Sequence, residues 1–310
     1  MSTPSNVFAI PRFGRGMGLG NRLFQWGRCR VFCYKHGLQM IAPIWMRPSL
    51  GHLIRNTVNL DQYLHQIALA GLFQTAPGDL SHWHGIWKSR SYPVISEDNI
   101  FDHSLRGPPR IEFDKYQYSF LPILGFNYRL LQDLRSMTRH QHLSFIERQP
   151  IYSIGLNIRC GRDFIPPPDD TNGYKWVGWL QQTPLSWFVE TLTLIRRQLG
   201  TSLSAVVVSD GSRAQLAPLL SLPDVVLLRP GNAITDLLTL SRCRLLLASC
   251  SSTFSAWAAF LGQMPAITAP GHPLTEWGLE SGPEKFIGTF DPMHPDSVFL
   301  DYLSEDLLMN

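Results

Sequence analysis

From residue 151 onward the sequence repeats one pattern: a short apolar run, a few turn-forming residues, then a helical stretch. Residues 152–159 alternate and are apolar enough for a buried strand. A Pro-rich loop over 165–171 precedes a helix over 184–199. The β-branched run 204–210 reads as the next strand, 215–220 begins a helix, and 225–228 is a third strand. A short helix over 234–241, a strand over 245–248 and a helix over 253–261 complete the series. Strands separated by helices need crossover connections, so the pattern predicts a parallel, doubly wound α/β structure. A chain of 310 residues suits two domains. The polar stretch 140–149 marks the expected boundary, which gives domains 1–148 and 149–310. The last residues, 292–310, are expected to form a helix that packs back on the first half.

The first half is less periodic. Residues 7–12 and 40–45 read as strands, and 126–140 as a helix. Between the first strand and the helical pattern 23–33 lies Gly14-Arg15-Gly16-Met17-Gly18-Leu19-Gly20-Asn21-Arg22. Four glycines in seven positions exclude a regular helix or strand there. The order strand, glycine loop, helix allows close backbone approach to a phosphate at a helix N-terminus. No Gly-Lys-Ser/Thr follows, so this is not a Walker loop. A tight structural turn is the other reading.

Ligands of open parallel sheets bind at the carboxyl ends of the strands. Arg159 ends a buried strand in Asn157-Ile158-Arg159-Cys160-Gly161-Arg162-Asp163. Its guanidinium suits a diphosphate, or else an internal ion pair such as one with Asp163. Asp210 ends the strand 204–210, placed to accept hydrogen bonds from a ribose or base, or to form a turn. Ser251, Ser252, Thr253 and Ser255 put four hydroxyls in five positions between a strand and a helix. One is explained by N-capping; phosphate binding would use the others.

The net charge of +3 with dispersed basic residues argues against nucleic acid, yet suits an anionic ligand. Cys29, Cys33, Cys160, Cys243 and Cys250 are odd in number and form no Cys-x-x-Cys pair, which excludes a disulfide framework or structural zinc. Residues 1–11 lack a basic stretch followed by a long apolar run, so no signal peptide is expected. The most apolar region, 237–261, is interrupted by Arg242 and Arg244 and is not read as membrane-spanning. The expectation is a cytoplasmic protein with reduced thiols, with peripheral membrane association left open as a partner class.

Four blocks, in order, resemble the α-1,2-fucosyltransferases of glycosyltransferase family 11. Gly18-Leu19-Gly20-Asn21-Arg22-Leu23-Phe24-Gln25 resembles their opening Gly-Leu-Gly-Asn-Gln-Leu-Phe-Gln. Asn157-Ile158-Arg159-Cys160-Gly161 is similar to His-x-Arg-Arg-Gly-Asp, and Val208-Ser209-Asp210 to Phe-Ser-Asp-Asp. The fourth block runs from Asp236-Leu237-Leu238-Thr239-Leu240-Ser241-Arg242-Cys243 to the Ser252-Thr253-Phe254-Ser255 helix start. The resemblance implies a GT-B-like architecture of two facing Rossmann-like domains, the first on the acceptor side and the second binding a GDP-sugar. It implies inverting transfer from GDP-fucose to a glycan acceptor, with no metal or other cofactor.

By the same resemblance, Arg159 binds the donor diphosphate and stabilises departing GDP. Ser252, Thr253 and Ser255 cradle phosphates, and Asp210 contacts guanosine. Gly18, Gly20 and Asn21 serve the ligand from the first domain. The chain departs from the pattern at Asn157 (His in the family), Cys160 (Arg), Arg22 (Gln) and the extra residue in Gly161-Arg162-Asp163. Asp163 is the first candidate for the base that takes the acceptor's proton; His82 and His84 are others. A different GDP-sugar, or a GDP-sugar-binding protein without catalysis, are the alternative readings.

Overall fold

The computed structural model describes residues 7–14, 16–45, 68–99, 108–161, 181–271, 273–282, 285–295 and 297–306. The Pro-rich segment 165–171, Arg162 and Asp163 lie outside the described residues. The chain divides into two units between Phe145 and Ile146.

The first unit holds β1 (Phe8–Pro11), α1 (Leu19–His36), β2 (Gln39–Met40), α2 (His82–Lys88), β3 (Val94–Ser96), β4 (Arg110–Phe113) and α3 (Asn127–Met137). The strands form one sheet in the order β2-β1-β4-β3, every pair parallel. Helix α1 is buried along most of its length although it carries three arginines. Burying cations is tolerable only with partners, and each arginine has them. Arg28 grips Glu97 through two hydrogen bonds of 3.0 and 2.9 Å. Arg30 grips Asp79 through two of 2.7 Å. Arg22 donates to the carbonyls of Met17, at 2.8 Å, and of Trp45. Gly37 stops the helix in the left-handed conformation at φ 62°.

Helix α4 (His140–Glu147) occupies the polar stretch expected to be a boundary. Its buried Ile146 and the hydrogen bond from Arg242 Nη1 to the Ile146 carbonyl, 2.6 Å, give this stretch an ordered helix end rather than a loose linker.

The second unit contains β5 (Ile154–Ile158), α5 (Leu185–Leu199), β6 (Ala205–Ser209), α6 (Ala217–Leu220), β7 (Val225–Leu227), α7 (Ala233–Leu240), β8 (Leu245–Ala248), α8 (Thr253–Gly262), β9 (Ala266–Thr268), β10 (Ile287–Thr289) and α9 (Ser297–Asp306). Its sheet runs β10-β9-β8-β5-β6-β7, all parallel. The first strand is central, its two successors lie on one side and the remaining three on the other, the strand order of dinucleotide-binding sheets.

Side chains alternate across a strand, and β5 separates the two faces accordingly. Ile154, Leu156 and Ile158 join Val207, Leu247 and Ile267 in a core with Trp187, Phe188, Leu192 and Ile195 of α5. Gly155 and Asn157 face the opposite side, where α7 and α8 pack. A Cβ on Gly155 would lie 2.9 Å from Leu240 Cδ2 and 3.0 Å from Cys243 Sγ, so only glycine admits that neighbour. Trp187 donates its indole N–H to the Phe290 carbonyl at 2.8 Å, which satisfies the polar edge of a buried ring.

Phe299 and Leu303 of the C-terminal helix are buried in the second unit's own core, and α9 packs on α5. Phe299 meets Phe290 with ring centroids 4.8 Å apart.

Helices α7 and α8 approach so closely that a Cβ at Gly262 would lie 2.4 Å from the Ser241 carbonyl oxygen. Gly262→Ala must shift backbone against backbone. It should lower stability by about 1–3 kcal/mol, read as a lower urea midpoint with an unchanged slope. An unchanged midpoint would show that the α7–α8 contact yields freely.

Candidate functional site

In the second unit the strand order reverses between β5 and β8, so the connections leaving these strands' carboxyl ends run to opposite sides, the place where open α/β sheets form a binding crevice. Ser249, just after β8, links the two strand ends. Its hydroxyl donates to the Asn157 carbonyl at 2.9 Å and accepts from the Arg159 N–H at 3.0 Å. Its own N–H also reaches the Asn157 carbonyl, at 3.0 Å. Ser249 was not among the sequence-predicted site residues. A polar residue closing an otherwise apolar strand was the available signal.

Arg159 and Asp210 come together at this rim. Arg159 Nη1 lies 3.1 Å from Asp210 Oδ2, with the side chains 31% and 32% exposed. Asp210 Oδ1 accepts the Cys160 N–H at 2.6 Å. The carboxylate thus ties β6 to β5 and orients the guanidinium. The ion pair considered from sequence exists, with Asp210 as partner. Both side chains are about one third exposed.

Cys160 stands where the resembled family has a second arginine. Its side chain sits over Gly211, where a Cβ would lie 3.0 Å from the sulfur. Burial, with the Asp210 charge adding to it, pushes the thiol pKa up. The group is therefore neutral and adds no positive charge.

Asn157, on the buried side of β5, donates to Ser252 Oγ at 3.1 Å and to Ser255 Oγ at 2.6 Å. Ser252 Oγ also accepts the Ser255 N–H at 3.2 Å and so caps α8. Ser255 is 0% exposed and Ser252 4%. Both were expected to cradle phosphate; here they are buried and their hydroxyl oxygens accept hydrogen bonds inside the protein, which fixes α8 to β5. Ser251 and Thr253, at the same helix start, are only partly buried. Ser251 has φ 53°, the left-handed region, and its hydroxyl oxygen is buried with no hydrogen-bond partner. A non-glycine residue held there costs about 1–2 kcal/mol, and such strain clusters at ligand clamps.

The rim continues toward β7. Arg229 Nη2 donates to the Ser209 carbonyl at 3.2 Å. Asp236, in the first turn of α7, is the one charged residue in that apolar helix. Its Oδ1 is buried without a hydrogen-bond partner, and a Cβ at Gly231 would come within 2.3 Å of it. Burial raises its pKa to about 7, against the opposing influence of Arg229 and of the Thr235 hydrogen bond. The sequence reading included Asp236 in a motif without giving it a role.

The other predicted residues belong to the first unit. Gly18 is the N-cap of α1 and offers no side-chain cap; Gly20 is buried, and Asn21 is partly exposed. Part of the glycine loop serves the structural reading: Gly16 has φ 75°, and a Cβ on Gly14 would strike the Tyr116 hydroxyl at 2.2 Å. His82 Nδ1 contacts the Ala42 carbonyl at 2.9 Å, and His84 sits on α2 beside Trp87. Asp163 lies outside the described residues.

Solved structures of similar fold include NodZ in three forms. NodZ from Bradyrhizobium aligns over 87% of this chain and 98% of its own, at 16% identity and a TM-score of 0.53. The fold is that of the fucosyltransferase NodZ. NodZ α-1,6-fucosyltransferase co-crystallised with GDP aligns over 87% and 97% at 14% identity, TM-score 0.52. The same enzyme soaked with GDP-fucose aligns over 86% and 95% at 15% identity, TM-score 0.51. No family model matches the sequence, and no curated protein matches it. The architecture is thus α/β and GT-B-like, with two Rossmann-like units built on parallel sheets.

Asp236 yields a pH prediction. Its folded pKa, about 7, lies above the ordinary value of 3.8, so the folded chain holds a proton that the unfolded chain releases. Stability should therefore fall as pH rises from about 4 to 7. Asp236→Asn should remove this loss, raising the melting temperature at pH 8 relative to the parent but hardly at pH 4. Parallel pH profiles for the two proteins would contradict the buried, protonated carboxyl.

Proposed function

We propose that this protein transfers L-fucose from GDP-fucose to a glycan hydroxyl, with inversion and in an α-1,2 linkage. The observation that carries this reading is the crevice between β5 and β8. There Arg159 follows β5 and is oriented by Asp210, and Ser251, with its strained backbone and unpartnered hydroxyl, follows β8 at a helix start. A guanidinium, a helix N-terminus and the Ser251 hydroxyl form a donor set matched to a diphosphate. The NodZ fold, captured with GDP and with GDP-fucose, supports the choice of nucleotide. The ordered motif resemblance supports the linkage.

In this mechanism the acceptor oxygen forms a bond to fucose C1 as the bond from C1 to the β-phosphate oxygen breaks. GDP leaves with that electron pair. Arg159 stabilises the negative charge gathering on the leaving diphosphate, and a charge-developing step gains most from a fixed cation. Thr253 and the first N–H groups of α8 add donors on the phosphate side. The acceptor's proton passes to Asp163. No metal is required in this reading, because Arg159 and the helix N-terminus supply the positive charge. A protein that binds GDP-sugars without turning them over is the second reading, favoured by the neutral Cys160 in place of a second arginine.

Arg159→Ala should cut turnover of GDP-fucose by about 10²–10³-fold. The half-exposed ion pair it removes contributes about 1 kcal/mol or less to stability, so the melting temperature should stay nearly constant. Normal turnover would remove Arg159 from the mechanism. In the same assay of released GDP, Asp163→Asn should bind GDP normally yet slow transfer, and EDTA should leave the rate unchanged. GDP binding by calorimetry without turnover toward any glycan acceptor would favour the binding-only reading.

A further inference from the structure

Helix α2 of the first unit has two unlike sides. Gly85 is buried against Ile41, where a Cβ would meet Ile41 Cγ1 at 2.6 Å. Ile86 packs on the cluster of Phe8, Ile10 and Ile41. On the other side Trp83 and Trp87 stand one helical turn apart, 76% and 62% exposed. The Arg90 guanidinium lies 4.7 Å from the Trp87 ring centroid, whereas the Lys88 ammonium turns to the inner side, 5.2 Å from the Phe8 ring centroid. From 80 to 96 the sequence holds no Asp, Glu, Asn or Gln, while it carries Lys88, Arg90, His82 and His84.

Two neighbouring indoles left in water need an occupant, and the charge around them says which. We propose that this face of α2 docks on an anionic lipid bilayer, with Trp83 and Trp87 at headgroup depth and Arg90 among the phosphates. Indole rings favour that depth because one edge is apolar and the N–H is polar. A basic side chain beside them gains from the negative surface potential, and no carboxylate of the segment opposes it. A glycan would be the other partner for exposed tryptophans, and the vesicle and glycan measurements below separate the two. The inference stands apart from the nucleotide reading of the second unit.

The test uses the full chain with vesicles of phosphatidylcholine alone and vesicles containing roughly one third phosphatidylserine. Co-sedimentation and a blue shift of tryptophan emission report binding. The expected result is binding at least about tenfold stronger to the anionic vesicles, lost as salt rises from about 0.05 to 0.5 M. The variant Trp83→Ala/Trp87→Ala should bind at least about tenfold more weakly, and Arg90→Gln should weaken binding to the anionic vesicles alone. Both indoles are exposed, so an unchanged melting temperature certifies the folded double variant. Equal binding to both vesicle types, or full binding by the double variant, would overturn the proposal. So would a glycan-array signal that depends on Trp83 and Trp87 in a protein that ignores vesicles.

Discussion

At Asn157 two requirements meet on one residue. Its carbonyl belongs to the strand at which the strand order reverses, and its side chain points toward α8. The Ser249 N–H continues the backbone pairing to the Asn157 carbonyl. The Ser249 hydroxyl adds a second link, from the Asn157 carbonyl to the Arg159 N–H. The Asn157 amide meanwhile holds the serines that start α8. The strand end, the helix start and the base of Arg159 are therefore fixed by one set of buried hydrogen bonds. A buried polar set of this kind is rigid only when each member has its partners, and here the three serines and the asparagine satisfy one another.

The first unit solves a different problem with charge. Its long helix is interior, yet its sequence is far from apolar. Arg22, Arg28 and Arg30 are accommodated because Glu97, Asp79 and several loop carbonyls converge on them. These arginines pin segments distant in sequence to one helix. The resembled family has glutamine at position 22; the arginine here reaches the carbonyls of both Met17 and Trp45, so it braces the glycine loop against the chain that follows β2.

The second unit was legible because its strands are apolar runs on a helical beat. Residues 204–210 and 245–248 could hardly be anything else, and Arg159 and Asp210 stood out as polar groups at strand ends. The short strands β3 and β4 were not legible. Val94–Ser96 and Arg110–Phe113 carry half-buried polar residues in a stretch without period, and their pairing depends on partners far along the chain. Within the site, type and position indicated Ser252 and Ser255 but not their direction. Whether a serine faces a ligand or its own protein depends on the neighbour, and Asn157 is nearly a hundred residues away. Asp236 was hidden for the same reason: its burial comes from the Gly231 turn rather than from its own helix pattern.

Ser251 leaves a last consequence. Its backbone conformation is one that glycine adopts without strain, whereas serine must be held there by its surroundings. A chain shaped for stability alone would carry glycine at that position, and gain from the exchange. Serine instead keeps a buried hydroxyl without a hydrogen-bond partner at the start of α8. On the proposed function the loop is a place where ruggedness and activity trade against each other, and an engineer seeking a tougher protein should leave it for last.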